Sequence, residues 1–112
     1  MEAGGFVALT TAAIYDWRSF HRECQRSLGF PDDYAADMSA WVDCLVSLRD
    51  AGERRVRVHL APDEMLQLEL ADVEALRERV PGILETVVDA TAEVNRRFLE
   101  VGQVPAVTLI FV

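Results

Sequence analysis

An apolar stripe on one predicted helix, set in an acidic stretch of chain, most strongly constrains the fold of this sequence. The stripe consists of Met38, Trp41, Leu45 and Leu48, which are spaced three or four residues apart. That spacing places the side chains on one face of an α-helix. The surrounding segment, Ser27–Leu48, contains four aspartates and no arginine. The sequence therefore predicts a helix that is anchored in a core on one side and acidic on the other.

Four segments combine helical spacing of apolar residues with capping signals, and they cover about residues 17–28, 38–49, 73–80 and 81–101. Asp16, Asp37 and Asp72 precede the first three segments and are the predicted N-caps, because a carboxylate accepts hydrogen bonds from the free amides of a first turn. Gly29 and Gly102 are predicted to end the first and last helices.

The strand signals are of two kinds. Gly5–Thr10 and Val107–Val112 are almost entirely apolar, which favours strands covered on both faces, with the second lying centrally. Val56–Leu60 and Leu66–Leu70 alternate apolar and polar residues. We expect Val56–Leu60 to be the third parallel strand, and an extra strand at about residues 65–70 to fold back at the sheet edge. The prediction is a single α/β domain over residues 1–112, a three-stranded parallel sheet with helices packed against it.

Charge and composition narrow the classes of partner. The 112 residues carry a formal net charge of −8. Nucleic acid and anionic membranes repel such a charge, so we expect a basic protein as the partner. The longest apolar run, Val104–Val112, is far shorter than the roughly 20 residues of a membrane helix. A secretory signal begins with basic residues, and this sequence has none before Arg18. We therefore expect a cytoplasmic protein. Cys24 and Cys44 fit buried, reduced thiols.

The sequence contains no arrangement of residues typical of an enzyme. His21 and His59 have no cysteine or histidine at metal-ligand spacing. The acid pairs Asp32–Asp33 and Asp63–Glu64 lie in predicted loops, where carboxylates are usually solvated rather than catalytic. We therefore expect no catalytic activity, no metal and no cofactor.

Asp43 is the most informative acid. It falls on the helix face opposite the apolar stripe, in line with Ser39 and Ser47, and we expect all three to point outward. Asp33 and Asp37 come from the loop and the cap just before it, with no basic residue in this stretch to compensate them. This pattern fits either an ordinary solvated helix face or an acidic surface that complements a basic cleft.

One further set of residues resembles a known family. Phe20-His21, Leu28-Gly29-Phe30-Pro31, Tyr34 and the block Asp37–Leu45 occur in an order that resembles the barstar family of intracellular ribonuclease inhibitors, most strongly over residues 16–50. The resemblance implies a barstar-like sheet and a second helix that, with its preceding loop, plugs the active site of a basic ribonuclease or related nuclease toxin. It also implies that Asp43 takes the position of a substrate phosphate. The implied contact residues are Asp33, Tyr34, Asp37, Ser39, Val42, Asp43 and Ser47.

The sequence also departs from the family pattern. Asp33 and Val42 replace two aromatic residues of the contact surface, and Ala35, Asp37 and Ser39 differ as well. Glu93 and Glu100 are the nearest candidates for the acids of the family's last helix. An alternative hypothesis is therefore a barstar-fold interaction module without a nuclease target, which forms a homodimer through the edge of a strand at Leu66–Leu70.

Overall fold

Three strands form one parallel sheet in the order β1-β2-β3. The computed structural model describes residues 5–112. Its strands are β1 (Gly5–Leu9), β2 (Leu66–Leu70) and β3 (Val107–Phe111). Its helices are α1 (Trp17–Leu28), α2 (Met38–Val46), α3 (Val73–Arg79) and α4 (Pro81–Glu100), with 3₁₀ turns at Thr11–Ala13 and Ser47–Arg49. The predicted α/β fold with a three-stranded parallel sheet and helices packed against it is confirmed.

The helix boundaries follow the capping signals closely. Asp16 accepts a hydrogen bond from the Ser19 amide at 2.7 Å, and the Ser19 hydroxyl accepts one from the Asp16 amide, so α1 begins with a capping box. Gly29 ends α1 with φ of 70°, and a Cβ there would lie 2.7 Å from Cβ of Arg57. Asp72 precedes α3 as expected, but its side chain makes no capping hydrogen bond.

The segment predicted as an edge strand is the centre of the sheet. Leu66 of β2 pairs with Gly5 of β1 on one side and with Val107 of β3 on the other, and both pairings are parallel. The expected antiparallel hairpin at the sheet edge is therefore wrong, as is the central position predicted for β3. A homodimer through a free edge of Leu66–Leu70 is excluded as well, because both edges of β2 are already paired within the chain.

The alternating pattern of β2 arises because helices cover only one face of the sheet. The leucines of β2 are buried, whereas Gln67 between them is exposed. In β1, Val7 and Leu9 are buried and Phe6 is exposed, so only one face of this strand is covered. The prediction that both faces of β1 are covered is therefore wrong. Alternation in this sheet reports one open face, not an edge position.

Val56–Leu60 forms no strand, contrary to prediction. The Arg57 amide donates to the carbonyl of Leu28 at the end of α1, and the Leu60 amide donates to the carbonyl of Leu48 after α2, both at 2.9 Å. Val56 and Leu60 are buried, while the residues between them are more exposed. The segment thus has no regular secondary structure, and its amides hydrogen-bond to free carbonyls at the ends of two helices.

The core fixes the orientation of α2. Trp41, Leu45 and Leu48 are fully buried, which confirms the predicted apolar stripe, while Met38 packs at its margin. The Trp41 indole donates from Nε1 to Sγ of Cys24 at 3.4 Å. Cys24 and Cys44 are both free and buried, as expected. Since this side of α2 is locked in the core, its opposite side faces solvent.

Candidate functional site

One acid of α2 and one acid of the loop before it meet at a small pocket. Asp33 and Asp43 both line this pocket, which has a volume of about 250 Å³, together with Cys44 and Arg55. The side chain of Asp43 is 61% exposed and that of Asp33 is 78% exposed. The structure therefore brings together two acids that are ten positions apart in the sequence, and it leaves both accessible.

Each of these two acids has a cation beside it. Nη1 of Arg97, on α4, lies 3.4 Å from Oδ1 of Asp43, and Nη2 of Arg55 lies 3.1 Å from Oδ1 of Asp33. The prediction that the acidic stretch has no compensating cation is therefore wrong, because both arginines come from other segments of the chain. Exposed ion pairs contribute only about 0–1 kcal/mol to stability, so a partner's cations can displace them at little cost.

Glu93 links Asp43 to a wider network on α4. Its Oε2 lies 3.1 Å from Nε of Arg97 and 2.6 Å from Nη2 of Arg96, which also pairs with Glu100. Hydrogen bonds from Arg96 and Arg97 lower the pKa of Glu93 to about 2. Glu93 thus remains ionised, and it provides Arg97 with a second acid partner besides Asp43.

Asp37 and Ser39 lie at the start of α2 and are exposed. Asp37 is the N-cap, as predicted, and its Oδ1 accepts a hydrogen bond from the Ala40 amide at 2.7 Å. An acid at this position also interacts favourably with the helix dipole. The N-cap of α2 is therefore a third exposed acid, and it lines a groove beside α1 and not the pocket shared by Asp33 and Asp43.

Tyr34 is buried and connects the loop to α1. Its hydroxyl lies 2.6 Å from Nδ1 of His21, and its ring packs 4.8 Å from that of Phe30. Burial raises the pKa of Tyr34 well above its usual range, so the phenol is protonated at neutral pH. This side chain holds the acidic loop in position from beneath.

Val42 and Ser47 are also buried. Ser47 was expected to face outward with Asp43, but α2 ends at Val46 and a 3₁₀ turn carries Ser47 inward. Its hydroxyl donates to the carbonyl of Cys44 at 2.6 Å and accepts from the Arg55 amide at 2.7 Å. The expected outward position of Ser47 is therefore wrong.

Sequence reasoning missed Arg55, Arg97 and Val46. The two arginines reach the acids only through tertiary packing, so no local pattern indicates them. Val46 is half-buried and lies one turn after Asp43, beside Arg97, in a groove of about 460 Å³ between α2 and α4. Its spacing from Asp43 was the available signal, because residues three apart share a helix face.

Within residues 5–112 no group of three or more His, Cys, Asp or Glu side chains is placed to hold a metal ion. The helices of this same range include none whose length and apolar content suffice to cross a membrane.

The fold and the site together define a small α/β protein that displays Asp43 on one rigid helix and further aspartates on the loop before it. The family model described as barstar, the barnase inhibitor, matches residues 5–110, and the chain belongs to the barstar family. A search of the curated proteins finds no match. The barstar family binds barnase-like ribonucleases, so membership suggests a role like that of the barnase inhibitor and a nuclease as the general kind of partner.

Proposed function

We propose that this protein inhibits a basic ribonuclease or a related nuclease toxin by covering its active site with α2 and the loop before it. Membership in the barstar family supports the inhibitor class. The formal net charge of −8 supports a basic partner, because opposite charges accelerate the encounter of two proteins. The protein itself performs no catalysis under this proposal and uses no cofactor.

The observation that carries the proposal is the placement of Asp43. Its carboxylate is exposed on α2, whose other side is held by the fully buried Trp41 and Leu45. A carboxylate on such a rigid helix can accept paired hydrogen bonds from an arginine, as a phosphate does, with little loss of conformational entropy. Asp43 therefore substitutes for a substrate phosphate among the cationic residues of the nuclease.

The remaining contact residues divide by exposure. Asp33, Asp37 and Ser39 are exposed, and we assign them direct contacts with the partner. Tyr34, Val42 and Ser47 are buried, with small exposed edges, and we assign them to the floor that supports this surface. The proposed compartment is the cytoplasm, where free thiols such as those of Cys24 and Cys44 stay reduced.

An inhibition assay tests the proposal. The protein is mixed with a panel of guanyl-specific ribonucleases, and RNA cleavage is followed for the wild type, Asp43→Ala and Asp89→Ala. Asp89 is an exposed acid of α4 in a different groove, so its removal changes the net charge equally without touching the site. Thermal unfolding confirms that each variant is folded.

We expect the wild type to inhibit at least one nuclease of the panel. Asp43→Ala should weaken that inhibition by roughly tenfold or more, because a hydrogen bond to a charged group contributes about 1.5–3 kcal/mol. Asp89→Ala should inhibit like the wild type. The absence of any inhibited nuclease, or equal effects of the two substitutions, would show the proposal to be wrong.

A further inference from the structure

A groove of about 680 Å³ lies between α1 and the loop before α2. One wall is formed by residues of α1, the other by Ala36, Asp37 and Met38, and Thr86 of α4 lies at its end. Sites for small molecules commonly have volumes of about 300–1,000 Å³ and combine apolar walls with a few polar groups. The size of this groove is therefore that of a small-molecule site.

Two arginines of the groove are unusual for this chain. Arg18 and Arg22 lie one turn apart on α1 and both line the groove. Neither forms a hydrogen bond or ion pair within residues 5–112, whereas the other arginine side chains of that range each do. The two adjacent acids, Asp16 and Asp37, cap helices through the Ser19 and Ala40 amides, and within residues 5–112 neither forms an ion pair with Arg18 or Arg22. Two cationic donors thus remain available to a ligand.

The wall of the groove holds a further polar group. His21 is only 6% exposed, and Nδ1 of its ring lies 2.6 Å from the Tyr34 hydroxyl. Its Nε2 has no hydrogen-bond partner in the described part of the chain. When the Tyr34 hydroxyl donates to Nδ1, the neutral imidazole carries its proton on Nε2, which is then a donor. This donor adds to the two guanidinium groups of the same groove.

Trp17 supplies a flat apolar surface next to these donors. Its side chain is 43% exposed and lines the groove. The indole stacks on the His21 ring, with centroids 6.0 Å apart and planes inclined by 26°, and this contact restricts its orientation. An exposed aromatic face of restricted orientation suits the stacking of a planar ligand.

We propose that this groove binds a small planar anion, whose aromatic ring stacks on Trp17 and whose carboxylate or phosphate receives hydrogen bonds from Arg18 and Arg22. The proposal needs neither Asp43 nor a nuclease, so it can be tested separately from the inhibitor role, although Asp37 belongs both to this groove and to the proposed contact surface.

Ligand titrations followed by NMR test the proposal. Adenosine 5′-monophosphate and 2-naphthoate each provide a ring and an anionic group, whereas adenosine provides only the ring and inorganic phosphate only the charge. We expect both planar anions to shift the Trp17 indole signal and the Arg18 and Arg22 side-chain signals saturably, and their relative affinity distinguishes phosphate from carboxylate. Adenosine and inorganic phosphate should bind roughly tenfold more weakly, because each loses contacts that contribute about 1.5 kcal/mol. Absence of saturable shifts with both planar anions, or equal binding of adenosine, contradicts the proposal.

Matched variants locate the site. The double variant Arg18→Gln/Arg22→Gln should lose roughly tenfold or more in affinity for the tighter planar anion, since both charged donors are removed. Arg77→Gln, which changes an exposed arginine of α3 outside the groove, should bind like the wild type. Wild-type affinity in the double variant, with an unchanged thermal transition, overturns the assignment. Asp43→Ala, which changes an acid outside the groove, should bind the planar anions like the wild type, which separates this site from the proposed inhibitory surface.

Discussion

Arg97 of α4 lies 3.4 Å from Asp43 of α2, so the acid at the centre of the proposed binding surface is already paired in the free protein. Arg97 also contacts Glu93 on its own helix at 3.1 Å. A basic partner that takes over Asp43 therefore leaves Arg97 with an acid to pair with. Binding would thus replace the Asp43–Arg97 pair with a pair between Asp43 and a cation of the partner. Until the partner binds, Arg97 competes for Asp43.

Removing this competitor should improve inhibition. We expect Arg97→Gln to accelerate association with the inhibited nuclease by about two- to fivefold at low salt, because an exposed ion pair contributes about 0.2–1 kcal/mol. Stopped-flow fluorescence measures the rate. Arg96→Gln is the matched control, since Arg96 pairs with Glu93 and Glu100 but not with Asp43. An effect of equal size in both variants would assign the change to net charge alone.

Association should also depend strongly on ionic strength. The acids Asp33, Asp37 and Asp43 are exposed, and salt screens charges at the surface, with a Debye length of about 10 Å at 0.1 M and about 3 Å at 1 M. We expect the association rate constant to fall by at least tenfold between 0.05 and 0.5 M NaCl, as for other electrostatically steered encounters, with a smaller change in dissociation. A flat association rate over this range would argue against an acidic docking surface.

Glu23 should stabilise the fold above its titration range. This buried carboxylate accepts hydrogen bonds from the Thr10 amide at 2.7 Å, from Arg26 at 2.7 Å and from the Ser27 hydroxyl at 2.8 Å. Burial alone would raise the pKa of Glu23, but these hydrogen bonds outweigh it and the pKa is lowered. Its contribution is therefore present above the unfolded-state pKa of about 4.5 and is lost as the pH falls through the folded-state value.

Urea unfolding measures the effect. Glu23→Gln should lower the free energy of unfolding by roughly 1–3 kcal/mol at pH 7, because a charged acceptor of several hydrogen bonds is replaced. The difference from the wild type should shrink as the pH is lowered below 4.5. Glu74→Gln, on the exposed Glu74–Arg77 pair, should change stability by less than about 0.5 kcal/mol. A difference that persists unchanged at low pH would show that the carboxylate charge is not responsible.

The hydrogen bond between the side chains of His21 and Tyr34 should stabilise the loop before α2. Burial lowers the pKa of His21, although the charge of Asp37 opposes this shift, so the imidazole is neutral in the folded protein at pH 7. A lowered pKa means that the unfolded chain binds this proton more readily, so stability should decline as the pH falls below about 6.5. Tyr34→Phe should lower the free energy of unfolding by roughly 0.5–1.5 kcal/mol at pH 7, because the buried hydrogen bond between Tyr34 and His21 is lost.

NMR titration of the His21 ring and urea unfolding at pH 7 and pH 5.5 provide the measurements. Tyr15→Phe is the matched control, since Tyr15 is exposed and its hydroxyl has no hydrogen-bond partner within the described residues. A His21 pKa above 6.5, or equal stability of Tyr34→Phe and the wild type, would refute this account.

The sequence predicted the helices better than the strands, for a physical reason. Asp16, Gly29 and Asp37 are local signals whose partners lie within one turn, so they mark helix ends correctly. Val56–Leu60 has the alternation of a strand, but whether such a segment joins a sheet depends on distant neighbours, and here its amides bond to helix ends. For the same reason the order of β2 and β3 in the sheet could not be read from their composition.

In the candidate site, too, the features set by local helix geometry were predicted correctly, whereas those set by tertiary packing were not. That Asp43 faces outward and Trp41 inward follows from helical geometry, and the structure agrees. The positions of Arg55 and Arg97 depend on how three separate segments pack together, which no spacing in the sequence encodes. Ser47 was misplaced because the end of α2 tightens into a 3₁₀ turn, and that change shifts every later residue around the axis.

α2 contains only nine residues, fewer than the roughly 12–15 that an isolated helix needs to be even marginally stable in water. Asp43 and the N-cap Asp37 therefore keep their spacing only while Trp41 and Leu45 remain in the core. A synthetic peptide with the sequence of α2 would populate the helix rarely, and its apparent affinity would fall by that fraction. The smallest unit of recognition is consequently the folded domain, and a cavity placed far away, beneath β2, would weaken binding once its cost approaches the total free energy of unfolding, which is about 5–15 kcal/mol for typical domains.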